Sequence, residues 1–197
     1  AMVVVQFDKD GVQYQRKYFI SYPDSVMVMK FTANQSGKQN LILSYCPNSE
    51  AKSNLRADGK DGLVYTGVLD NNGMKFAFRI KAIHKGGTLE AENDRLIVKG
   101  ADEVVFLLTA DTDYKMNFNP DFKDPKTYVG NDPEQTTRIM MDQAVQKGYD
   151  ELYRNHEADH TALFNRVRLQ LNPDISSPNL PTYQRLANYK KGTPDYQ

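Results

Sequence analysis

Residues 74–84 read MKFAFRIKAIH and carry the strictest alternation in the chain. Met74, Phe76, Phe78, Ile80 and Ala82 fall on one face of an extended segment, while Lys75, Arg79 and Lys81 fall on the other. Successive side chains of a strand point to opposite faces, so a period of two with one apolar face is the pattern of a half-buried β-strand. Working outward, LVYTGVL (63–69) precedes it across the DNNG turn at 70–73, which is rich in residues that tolerate left-handed backbone. TLEAEND (88–94), RLIVKG (95–100) and EVVFLLTA (103–110) continue the pattern beyond the Gly86–Gly87 turn.

Toward the amino terminus, VVVQF (3–7) meets VQYQRKYFI (12–20) across Asp10-Gly11, a tight-hairpin signal. SVMVMKFT (25–32) alternates with Met27, Met29 and Phe31 on one face, and NLILSY (40–45) follows a polar turn at 34–39 that reads as another hairpin. The stretch 46–62 is polar and irregular, and its composition predicts a long surface loop. Many short antiparallel strands with turns every eight to twelve residues imply a sandwich and not a parallel α/β sheet.

The pattern changes near residue 111. DTDYKMNFNPDFKDPKTYVGNDP (111–133) is a polar, proline-bearing loop, too long for a simple connection. A helix is predicted from Pro133, with Asp132 as its N-cap and proline at the first helical position. Gly148 either divides this helix in two or weakens it. Val145, Tyr149, Leu152, His156, His160, Leu163 and Val167 recur at steps of three and four, one continuous helical face. Beyond Arg166 the period returns to two, which predicts a strand, and a short helix is expected around TYQRLANY (182–189).

Composition narrows the function. Lys and Arg number 25 and Asp and Glu number 25, so the formal charge is zero. That balance offers no electrostatic case for nucleic acid or an anionic membrane. VVFLL (104–108) is far too short to span a bilayer, and no targeting motif is visible. The single cysteine, Cys46, rules out an internal disulfide framework, and beside Pro47 it reads as a small hydrophobe at a strand end.

One motif demands a test. HEADH (156–160) has the form H-E-x-x-H, in which two imidazoles four apart on a helix can share a zinc with the glutamate as base. Asp195, 35 residues after His160, would be the third ligand of an aspartate-type zincin. Against this, both histidines continue the apolar stripe between Leu152 and Leu163, no glutamate follows Glu157, and Leu163 and Arg166 occupy the Gly and His positions of the metzincin continuation. Both imidazoles are therefore expected to pack toward the sandwich without a metal. His84 beside the Gly86–Gly87 turn reads as a solvated or backbone-bonded histidine, Asp111 and Asp113 as turn residues, and DKDG (8–11) as a hairpin turn rather than a calcium loop. No phosphate-cradling glycine loop or nucleophile elbow is present in the sequence.

Taken in order, four stretches resemble glycoside hydrolase family 95, the bacterial and plant α-L-fucosidases. DGVQYQRKYFISYPDSVMVMKFTA (10–33) is similar to a hairpin and strand of that family's amino-terminal β-domain. Residues 73–114, with GMKF, the GG pair and GADEVVFLLTADTDY, resemble its later strands. KGYDELYRNHEADHTALFNRVRLQL (147–171) resembles the helix leaving that domain and the strand returning to it, and LPTYQRLANY (180–189) the start of the linker into the catalytic domain. The resemblance implies a mainly β chain with a helical segment: an antiparallel β super-sandwich, galactose-mutarotase-like and partial, over 1–115. A loop over 116–132, a linker of one or two helices over 133–166, a return strand over 167–171 and an extended linker over 172–197 would follow.

In that family an (α/α)6 barrel carries the chemistry. A glutamic acid protonates the leaving oxygen, and a water activated by asparagines with an aspartate inverts the anomeric carbon. None of those positions has a counterpart here, so no catalytic or metal-binding residue is assigned, substrate-binding residues stay open, and the chain alone is expected to be inactive. The implied partners are the barrel of the same protein and, for the parent, a fucosylated glycan. No cofactor is expected, and the resemblance implies a periplasmic or secreted bacterial protein. The strand at 3–7, lacking the family's opening strands, is expected to expose an edge that invites dimerisation. Two other readings stand beside this one, a stand-alone sandwich that binds carbohydrate or protein, and the zinc protease.

Overall fold

The computed structural model describes residues 1–45, 51–92, 94–168 and 180–193. Among them the strands are β1 (Val3–Lys9), β2 (Val12–Ser21), β3 (Val26–Ala33), β4 (Gln39–Ser44), β5 (Ala51–Ala57), β6 (Gly62–Leu69), β7 (Lys75–Lys85), β8 (Thr88–Glu92), β9 (Arg95–Ala101) and β10 (Glu103–Thr112). The helices are α1 (Pro133–Phe164) and α2 (Thr182–Lys190). The chain divides into two compact units, Ala1–His160 and Thr161–Gln197.

The first unit is layered. A seven-stranded antiparallel sheet runs β1-β2-β3-β10-β7-β6-β5, and a three-stranded sheet runs β4-β9-β8. One face of the large sheet packs against the small one through Leu63, Ile80, Ala82, Val104 and Phe106 from one side and Leu96 and Val98 from the other. The opposite face receives α1, with Phe19, Val26, Val28, Val105 and Leu107 against Met141, Ala144 and Leu152. This is the expected mainly β, sheet-on-sheet architecture with a helical segment. It also explains why VVFLL in β10 does not alternate. The strand is central, its even-numbered residues face the small sheet and its odd-numbered residues face the helix, so both sides must be apolar.

The switch between sheets depends on glycine. β7 belongs to the large sheet and β8 to the small one, and between them Gly86 and Gly87 adopt φ of 66° and 64°. A Cβ on Gly87 would lie 2.3 Å from the Lys99 carbonyl oxygen, so any other residue would push the turn away from the backbone of β9.

Several sequence expectations are corrected. The turn at 34–39 does not close a hairpin, because β3 lies in the large sheet and β4 in the small one. There Gly37 N–H donates to the Asp102 carboxylate at 2.7 Å, tying the crossover to the other crossover between β9 and β10. The stretch 46–62 is not all loop, since β5 pairs with β6 from Ala51 to Ala57. As an edge strand, β5 is held by its backbone ladder and sends Leu55 toward the core while its other residues stay largely polar. Its composition therefore carries little strand signal. The helical stripe is buried only in part. Leu152 and His156 are enclosed, whereas Leu163 is 58% and Val167 82% exposed. The return strand expected at 167–171 falls mostly outside the described residues, and Val167 and Arg168 have no strand pairing.

Candidate functional site

HEADH lies on α1 beyond Gly148, where the backbone takes φ 72° and ψ 172° and breaks the helix into two arms. The His156 ring is buried, stacks on Phe19 at 5.0 Å between centroids, and places Nε2 3.0 Å from the carbonyl oxygen of Ala1. His160 is half-buried with its ring 6.0 Å from that of His156. Glu157 is exposed and lies 3.5 Å from the Tyr153 hydroxyl, which donates to it. Among the described residues, no group of three or more His, Cys, Asp or Glu side chains is arranged to hold a metal. Asp195 and Cys46 lie outside the described residues. His156 thus does the work of a core aromatic, facing the large sheet from the helix.

The other singled-out residues also serve the fold. Asp10 and Gly11 take φ of 52° and 72° in the β1–β2 turn, as a tight hairpin requires. His84 is exposed near the end of β7. Asp111 accepts a hydrogen bond from the Thr112 amide at 2.8 Å. Asp113 is buried and accepts from the Lys75 amide at 2.9 Å, pinning the start of β7 to the loop after β10.

Beneath α1 lies a polar cluster that no motif announced. The Asp24 side chain, 2% exposed, accepts from Lys147 Nζ at 2.7 Å, from Asn155 Nδ2 at 3.1 Å and from the Ser21 hydroxyl. Burial alone would raise this carboxyl, but the bonds from Lys147, Ser21 and Asn155 outweigh it and hold the group below its ordinary value. Glu103 behaves alike: burial pushes it up, yet Lys30 at 2.7 Å and Lys85 at 3.0 Å bring it below its usual value. Lys30 also stands 4.3 Å over the Tyr149 ring, joining the sheet to the helix. Burial, followed by the charges nearby, raises the Tyr149 hydroxyl. On the same face Arg79 pairs with Asp58 and Arg56 with Glu134. Asp24 and Glu134 thereby fasten α1 to the large sheet, Glu103 ties β10 to β3 and β7, and Asp58 ties the β5–β6 turn to β7.

The loop between β10 and α1 is built differently. Lys115 N–H donates to Tyr128 O at 2.7 Å, Tyr114 bridges Val129, and Asn117 Nδ2 donates to both the carbonyl and hydroxyl oxygens of Thr127 at 3.2 Å. Asp121 and Asp124 side chains accept from the amides of Lys123 and Lys126, each at 2.9 Å. This well-bonded loop carries Phe118 at 93% and Phe122 at 84% exposure, with Tyr114, Met116 and Val129 more than half exposed. Sequence reasoning noted its length and prolines, and the signal it passed over was two phenylalanines inside a polar stretch.

The model of the glycosyl hydrolase family 65 N-terminal domain matches residues 1–117. The glycosyl hydrolase family 95 catalytic domain matches residues 148–197. "Probable alpha-fucosidase A" of Aspergillus niger is 26% identical, the alignment covering 94% of this chain and 24% of that protein. "Alpha-L-fucosidase 2" of Arabidopsis thaliana is 25% identical over 96% of this chain and 25% of that protein. The chain therefore spans about a quarter of the length of these curated relatives. A solved structure named "Putative kojibiose phosphorylase from human microbiome" superposes with a TM-score of 0.55 at 7% identity, covering 89% of this chain and 25% of that one, and it shares the fold. The resemblance to family 95 read from the sequence is thus borne out by the second family match and by both relatives. Because the first match spans residues 1–117 of 197, more than half of its length, the chain belongs to the glycosyl hydrolase family 65 N-terminal-domain family.

Proposed function

We propose that this chain is the non-catalytic β-sandwich and helical linker of a glycoside hydrolase that removes terminal α-linked L-fucose with inversion. The observation that carries this reading is the pair of curated relatives, both named as fucosidases and both aligned over nearly the whole chain. The match of residues 148–197 to a family 95 catalytic domain supports the glycoside hydrolase identity of the parent. In this reading the parent's (α/α)6 barrel supplies the proton donor and the activated water, and the sandwich holds and shapes the barrel's substrate face. Among the described residues, the carboxylates of Asp24, Glu103 and Asp113 are engaged by cations or amides, which agrees with a supporting role. A periplasmic or secreted bacterial location is part of the proposal.

The test is hydrolysis of a fucosyl disaccharide by the 197-residue chain and by the polypeptide of the complete gene. Release of fucose only by the longer polypeptide, with the β-anomer formed first, is the expected result. Turnover by the chain alone would refute the supporting role, and a complete gene product inactive on fucosides but active on another glycoside would refute the substrate.

A further inference from the structure

Strands β1, β2 and β3 together form a trough of about 410 Å³, lined by three consecutive residues of each: 6–8, 13–15 and 32–34. Strand register explains its shape. Gln6, Gln15 and Thr32 stand side by side as one row across the three strands. Asp8 and Gln13 make the next row, extended by Asn34, whose N–H donates to the Gln13 carbonyl at 3.0 Å. Successive side chains alternate across a strand, so both rows rise from one face, the face that carries Phe19. Phe7, Tyr14 and Ala33, between the rows, turn to the other face. The rows are therefore the walls of the trough, and the backbone between them is its floor. Beneath that floor the Phe7 and Tyr14 rings stack at 5.1 Å between centroids, which stiffens it.

The walls hold polar groups that the fold does not use. Among the described residues, the side chains of Gln6, Asp8, Gln15 and Thr32 have no hydrogen-bond partner, whereas Lys30 and Glu103 on the same face are paired. An amide offers donors and an acceptor side by side, a carboxylate accepts, and a hydroxyl does both. No lysine or arginine lines the trough, so its one charge, Asp8, disfavours phosphate, sulfate and nucleic acid. One carboxylate is too few to hold a calcium or magnesium ion. Burying these groups under a purely apolar ligand would leave them unpaired, at a cost. The ligand that fits is neutral and dense in hydroxyls, and the volume lies within the roughly 300–1,000 Å³ of small-molecule sites.

We propose that this trough binds a neutral oligosaccharide, with Gln6 and Gln15 as its principal hydrogen-bonding contacts. The inference needs a glycan but neither hydrolysis nor fucose, so it goes beyond the proposed function and can fail separately from it.

A printed array of neutral, sulfated and sialylated oligosaccharides, probed with the 197-residue chain, is the first test. Retention on neutral oligosaccharides is the expected result. Retention on none of them, or on the sulfated and sialylated ones instead, would overturn the proposal. The brightest neutral oligosaccharide is then titrated into the isotope-labelled chain and followed by amide chemical shifts. Shifts concentrated at residues 6–8, 13–15 and 32–34 are expected, and shifts confined to other residues would overturn the site. The double variant Gln6→Ala/Gln15→Ala is expected to weaken binding about tenfold, the effect of losing two hydrogen bonds. Its unfolding midpoint is expected to stay unchanged, because neither side chain has a partner within the chain. Thr32→Val, which keeps the shape of the wall, is expected to weaken binding about threefold and gives the same reading should the double variant unfold. Unchanged affinity in a folded variant would overturn the proposal. Shifts at the same residues on raising the concentration of the chain alone would assign the trough to a second copy, and overturn it too. A complete gene product that releases no fucose would leave the trough proposal standing, and an array without binding would leave the fucosidase reading untouched.

Discussion

Asp24 and Gly148 show how single residues set the behaviour of the helix–sheet contact. Asp24 sits in the turn after β2 and collects bonds from Lys147 and Asn155, more than a hundred residues away. Its carboxyl lies below the ordinary aspartate value, so its contribution to stability is fully present above that value. The contribution disappears as falling pH passes through the depressed folded-state value. Asp24→Asn is expected to cost about 1–3 kcal/mol near neutrality, the penalty for disrupting an enclosed hydrogen-bonded group. It should also flatten the acid limb of the stability curve, as read by urea unfolding from neutral pH downward. Gly148 adopts a backbone region that side chains rarely enter, although open space surrounds it. Gly148→Ala is therefore expected to destabilise by about 1–3 kcal/mol through conformation alone, measurable by thermal unfolding. The glycine was legible as an interruption of the helical pattern. Asp24 was not, because a carboxylate in a turn looks the same whether it faces water or a buried lysine.

At the scale of elements, α1 was the most legible part of the chain. Asp132 caps it as expected, accepting from the Glu134 amide at 3.0 Å, with Pro133 next in the first turn. The stripe from Val145 also faces the sheet, and it stops being buried after His156. Leu152→Ala is expected to cost about 2–5 kcal/mol because it empties a fully enclosed site. Leu163→Ala, about three turns onward in the same stripe, is expected to change the stability of this chain by less than about 0.5 kcal/mol. Chemical denaturation of the two variants side by side checks the contrast. Helical periodicity identifies the face but not the length of surface available beneath it. That length depends on Phe19 and its neighbours, which lie far away in sequence. β5 illustrates the converse, an element formed by backbone pairing whose side chains announce almost nothing.

For the whole molecule, the unequal sheets matter most. β1 stands at one edge of the seven-stranded sheet, with Val3, Val4 and Val5 between 41% and 59% exposed. Unpaired edge groups beside exposed valines favour pairing with another strand. Self-association of the isolated chain at high concentration is the expected outcome, and Val4→Lys should shift it toward monomer in analytical ultracentrifugation. The same unequal sheets show where sequence reasoning stops. Sequence by itself determined the alternation of β7, the tight β1–β2 turn, the start of α1 and the sandwich class, because each depends on side chains within a few positions of one another. It also carried the motifs that resemble the fucosidases, since their order along the chain needs no folding to be read. Only the tertiary structure decided that β3 and β4 part into different sheets, that β5 is a strand, that His156 packs on Phe19 in the manner of a core ring, and that Phe118 and Phe122 stand in water. Those outcomes rest on partners distant in sequence. Backbone hydrogen bonds between such partners are the same for every side chain, so no local pattern records them.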